Sequence, residues 1–167
     1  VSLTYTAPQR TWDAWDRPLP VEVFYPVDPS MVTTATPQAV YPLDPISGVW
    51  PDTVSADWEP YGFDRAYEGP TPSAKKPFPL VAFSPGLGCP IWCHNFLAGR
   101  LASHGFVVAV IYHYGDAFFP WEPWDGLGIT GANRPFDVSF VLDRLLEQNA
   151  ATGDPLEGLV NPALIAA

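Results

Sequence analysis

Apolar and polar positions first fall into register over two short stretches. Ser2–Thr6 and Leu19–Tyr25 are predicted strands, the second setting Val21, Val23 and Tyr25 against Glu22 and Phe24, and Pro26 ends it. Past Pro77 a short continuous apolar run, Leu80–Phe83, leads into the turn Ser84-Pro85-Gly86-Leu87-Gly88. From about Cys93 to Ser103 the spacing changes to three and four. It predicts a helix whose shared face carries Phe96, Leu97, Arg100, Leu101 and His104, with Gly105 placed to cap its end. Phe106–Tyr112 is apolar at both parities, as a strand covered on both faces must be. Arg134-Pro135 opens a second predicted helix, with proline in its first turn and Asp137 near its positive dipole end. Val138, Val141, Leu142 and Leu145 form its apolar stripe, which fades by Asn149. Gly153-Asp154-Pro155 reads as a turn, and Ala163–Ala167 begins another buried strand.

Strand, helix, strand, helix, strand after an extended start predicts an α/β fold with a mostly parallel central sheet and helices on both faces. Ligands in such sheets bind beyond the carboxyl ends of the strands. Two segments stand out from this frame. Residues 28–76 are broken by prolines and hold aromatics such as Trp58, Tyr61 and Phe63, which reads as an ordered connection folded over the core edge or as a lid. Residues 114–132 form an aromatic loop at a carboxyl strand end. Its Phe118, Phe119, Trp121 and Trp124 either line a substrate pocket or close the core.

Composition narrows the possibilities. With 167 residues and 47% apolar content the chain fits one domain or a piece of one. A net charge of −10 opposes binding to nucleic acid or to an anionic membrane surface. The apolar run Phe106–Tyr112 is far short of the roughly 20 residues needed to span a bilayer. Cys89 and Cys93 are close enough to be bridged; a disulfide stiffening this loop is favoured over free thiols. Zinc is the least favoured reading, because Cys89, Cys93 and His94 are too bunched for a good cage. A bridge, with the aromatic, Lys-poor composition, points to a secreted or periplasmic protein, whereas two reduced cysteines fit the cytoplasm equally well.

Four segments carry a family resemblance. Phe83-Ser84-Pro85-Gly86-Leu87-Gly88, Leu101-Ala102-Ser103-His104-Gly105-Phe106-Val107-Val108-Ala109 and the stretch from Arg134 to Asp143 resemble, in order and spacing, the platelet-activating-factor acetylhydrolase-like esterases. Val21-Glu22-Val23-Phe24-Tyr25-Pro26 is similar to an early strand of that family and of dienelactone-hydrolase and cutinase-like relatives. The resemblance implies the N-terminal half of an α/β-hydrolase that cleaves carboxylic esters through an acyl-enzyme, without a cofactor. It also implies that the backbone N–H of Leu87 stabilises the oxyanion, since Gly86 and Gly88 allow close approach. Pro85 stands where acetylhydrolases carry His, a departure shared with polyester-degrading cutinases. That leans the expected activity toward a lipase-like or polyester-type esterase and away from a phospholipid acetylhydrolase.

The nucleophile of such enzymes sits in Gly-x-Ser-x-Gly, and no serine here has that frame. Ser139 reads as a polar helix position, and His94, His104 and His113 read as structural, His113 matching a structural histidine of the family. Nucleophile, acid and histidine are therefore expected from a C-terminal half that partners this chain, with the strand at Ala163–Ala167 delivering the nucleophile. The alternative is a noncatalytic binding module that keeps the fold.

Overall fold

A computed structural model describes residues 1–8, 17–42, 53–55, 66–89, 91–113, 115 and 126–167. Strands β1 (Ser2–Ala7), β2 (Arg17–Phe24), β5 (Phe78–Phe83), β6 (Val107–Ile111) and β7 (Val160–Ala166) form one sheet in the order β1-β2-β6-β5-β7. β1, β2 and β6 pair antiparallel, whereas β6, β5 and β7 pair parallel. The sheet is thus mixed, with its parallel half on the side that carries the predicted turn. Helix α1 (Asn95–Ser103) joins β5 to β6, and α2 (Gly126–Ala150) lies between β6 and β7.

The alternation of side chains along a strand divides the core in two. Val107, Ala109 and Ile111 pack with Leu19, Val21, Leu80 and Ala82 beneath α2, where Val141 and Leu145 are fully buried. Each of those two helix residues is worth about 1.5–3 kcal/mol of burial. The other parity of β6, Val108 and Val110, meets Phe24 and α1. Both faces of the central strand are covered, as its unbroken apolar run predicts.

Helix α1 turns differently from expectation. Its buried residues are Asn95, Ala98 and Ala102, while Phe96 is 44% exposed and His104 is also exposed. Small side chains let the helix approach the sheet closely, so size outweighed hydrophobicity in choosing the face. The Gly105 cap is present, with φ +94° and its N–H donating to Ala102 O at 3.0 Å.

Helix α2 begins at Gly126, upstream of the expected Arg134, so Pro135 lies inside it and 126–132 is helical. Asp137 is consequently not at a helix start but midway along, fully buried. Within 28–76, β3 (Val40–Pro42) and β4 (Thr53–Ser55) form a short antiparallel ladder, and Gln38 bridges Tyr67. Phe118, Phe119, Trp121 and Trp124 lie outside the described residues.

Candidate active site

β5 ends at Phe83, and the chain turns at its carboxyl end. The Cys89 N–H donates to Gly86 O at 3.1 Å, closing a tight turn with Leu87 and Gly88 at its centre. Gly88 has φ +73° and no non-glycine residue has positive φ among those described. This is the turn geometry that demands glycine at its third position. Because the closing bond uses the Cys89 N–H, the Leu87 N–H is left without an acceptor among the described residues. The Leu87 side chain is 41% exposed, so this donor stands at the surface of the sheet's carboxyl edge. β7 runs parallel beside β5, with Val81 opposite Ala166, and brings its own carboxyl end next to the turn.

Behind the turn lies a chain of polar side chains drawn from distant parts of the sequence. The Ser84 hydroxyl is 2.9 Å from His113 Nε2, and His113 Nδ1 is 2.9 Å from Asp137 Oδ2. Arg17 clasps both oxygens of Asp137, with Nη1 to Oδ2 at 3.1 Å and Nη2 on Oδ1. On the outer side Arg134 Nη1 donates to Ser84 Oγ at 3.2 Å and to Pro85 O. With Nδ1 protonated toward the carboxylate, His113 Nε2 is left to accept the Ser84 O–H, so both imidazole nitrogens and both Asp137 oxygens are engaged. Burial pushes the Asp137 carboxyl up, but hydrogen bonds from His113 and Arg17 and their charges outweigh it and hold it below its ordinary value. His113 and Arg17 are 4% and 1% exposed, whereas Ser84 is open to solvent.

All four residues share the α2 side by simple periodicity. Arg17 has the parity of Leu19 and Val21, Ser84 that of Leu80 and Ala82, and His113 that of Ala109 and Ile111. Asp137 stands four residues before Val141 on the buried stripe of α2. A carboxylate at that spacing, in line with two core residues, was the signal available in sequence.

The proposed cysteine bridge is not formed. Neither Cys89 nor Cys93 is in a disulfide, and the Cys89 sulfur lies 3.5 Å from His94 Nδ1 instead. His94 in turn packs against the Phe83 and Phe96 rings, with centroids 5.1 and 6.5 Å away. Among the described residues no cluster could hold a metal ion. A cavity of about 590 Å³ lies elsewhere, between β2, α1 and residues 66–70; Glu22, Tyr25, Tyr67 and Arg100 line it, but no residue of the 84–89 turn does. Among the described residues no helix is long and apolar enough to cross a membrane.

A mixed sheet whose parallel half ends in a glycine turn, covered by helices on both faces, is the architecture of part of an α/β-hydrolase fold. Comparison with known proteins agrees. Residues 65–117 match the family described as platelet-activating factor acetylhydrolase, isoform II. The solved ferulic acid esterase from Streptomyces cinnamoneus superposes with a TM-score of 0.65 at 29% identity, over 99% of this chain and 48% of that one. The chain therefore spans about half the length of that esterase. No curated protein matches it.

Proposed function

We propose that this chain supplies the oxyanion side of a serine carboxylic-ester hydrolase. The observation that carries this reading is the unspent Leu87 N–H on a glycine turn beside the carboxyl end of β7. A backbone donor fixed there costs no reorganisation when negative charge develops on an ester oxygen. In this reading the nucleophilic serine follows β7, and the acid and histidine come from the sequence after it, as a C-terminal partner half. The tetrahedral intermediate forms between the two strand ends, with Leu87 N–H on its oxyanion.

The fluorophosphonate reaction tests this in the intact protein: a covalent adduct on a serine beyond Ala167 supports it, and no adduct on any associated polypeptide rejects it. Leu87→Pro is a clean second test. Proline suits the second position of this turn, so the backbone tolerates it while the donor disappears. Turnover should fall on the order of 10²-fold. Unchanged turnover would remove Leu87 from the site.

The substrate is an ester with an apolar or aromatic acyl group, of lipase or polyester type. Similarity to the ferulic acid esterase favours aromatic acyl groups. The match of residues 65–117 to the acetylhydrolase family favours a second reading, short acyl chains on a phospholipid. Relative kcat/KM on a hydroxycinnamate ester and on an acetylated phospholipid separates the two. Secretion now rests on the Lys-poor, aromatic composition without the bridge; finding the protein only in cell lysate, not in culture medium, would reject it.

A further inference from the structure

Ser84, His113 and Asp137 have the outline of a catalytic triad, yet they stand on the scaffold side of the proposed oxyanion donor. From their geometry, and resting on the esterase reading above, we infer that Ser84, His113 and Arg134 are positioning residues that lock the Leu87 donor turn to the core through Asp137 and Arg17. The connections run without a gap. Arg17 on β2 fixes Asp137 on α2 at 3.1 Å, Asp137 fixes His113 beyond β6 at 2.9 Å, and His113 holds the Ser84 hydroxyl at the end of β5 at 2.9 Å. One helical turn of α2 then grips the donor turn a second time, since Arg134 reaches Ser84 Oγ and Pro85 O from three residues before Asp137. Four elements thus converge on the two residues that precede Gly86-Leu87. Among the described residues the turn closes on the backbone bond from Cys89 N–H to Gly86 O. Its placement is set from below.

Two observations argue against Ser84 as the attacking group. A nucleophile elbow is a strained strand-to-helix turn, whereas Ser84 has no positive φ and is followed by Pro85, with α1 starting only at Asn95. Its oxygen also already accepts the Arg134 guanidinium. The lock matters because a donor displaced by about 1 Å can cost on the order of 10²-fold in rate.

The test uses the intact hydrolase and the variants Ser84→Ala, Ser84→Thr and His113→Gln. Ser84 is exposed, so its alanine variant should fold with a melting temperature close to the wild type's. The expected result is a fall in kcat of about 10- to 100-fold with KM nearly unchanged, restored substantially by Ser84→Thr, which keeps the hydroxyl. Amide exchange at Leu87 and Gly88 should quicken in Ser84→Ala and His113→Gln, a readout that needs no activity. Unaltered exchange, or unaltered kcat in both variants, overturns the inference while leaving the esterase reading intact. Mapping the fluorophosphonate adduct to Ser84 overturns it in favour of a nucleophile. Absence of any adduct in the wild type instead defeats the esterase reading, and the exchange measurement still decides whether the lock exists.

Discussion

Asp137 is the residue on which the buried polar chain depends. It is fully buried and shared by a guanidinium and an imidazole, so removing its charge strands Arg17 in the core. Breaking one partner of such a pair costs about 3–5 kcal/mol. Asp137→Asn should show this loss in denaturant titration at neutral pH, and a loss under about 1 kcal/mol would mean the pair contributes little. The same residue gives the fold an acid limit. Its folded-state pKa lies below the ordinary value, so its stabilisation is complete above the usual carboxylate range, around pH 4, and is lost as pH falls through the folded-state value. Melting temperatures from pH 6 down to 2 should therefore fall more steeply in the wild type than in Asp137→Asn. Parallel curves would place the acid sensitivity elsewhere.

At the level of elements, β1 is held to α2 by Tyr5, whose hydroxyl donates to Gln148 Oε1 and whose ring meets Phe140 edge-on at 6.4 Å. Burial first, and then the Asp154 charge, raise the Tyr5 pKa to about 12 against a smaller opposing effect of Arg144. A raised tyrosine pKa contributes stability that is whole below about pH 10 and disappears as pH climbs toward 12. Thermal melts between pH 9 and 12 should show a decline that Tyr5→Phe lacks; a decline equal in both proteins would clear Tyr5. The strands and both helices were legible because burial stripes of period 2 and near 3.6 are written in residue type. The α1 face was not, since Ala98 and Ala102 bury themselves by smallness and leave Phe96 outside. The α2 start was misplaced because Pro135 imitates a first-turn proline, although Thr130 and Asn133 already occupy buried positions before it. The turn after β5 is readable from its glycines, of which Gly88 takes positive φ. Its supporting chain is not, because Arg17, Ser84, His113 and Asp137 are distant in sequence and meet only when three strands and a helix align.

Across the whole molecule the sheet ends differently on its two sides. β1 closes one edge, while β7 stands at the other with residues 162–167 exposed, Leu164 at 54% and Ile165 at 38%. β7 is apolar at successive positions, as strands buried on both faces are, but among the described residues it pairs only with β5. An open edge of that kind presents unpaired backbone groups and apolar side chains together, which is a template for strand pairing with another copy. No disulfide joins Cys89 and Cys93 near the turn to restrain it. Residues 1–167 produced alone should therefore self-associate, and Leu164→Lys together with Ile165→Lys should suppress the association by placing charges on the edge. In the intact protein, where the proposed C-terminal half covers β7, the same substitutions should instead destabilise the fold by burying charge. Light scattering after size exclusion reads the first effect and denaturant titration the second. A monomeric fragment with an intact protein indifferent to both substitutions would show that β7 needs no cover, and with it the case for a C-terminal half packed on this edge would fall.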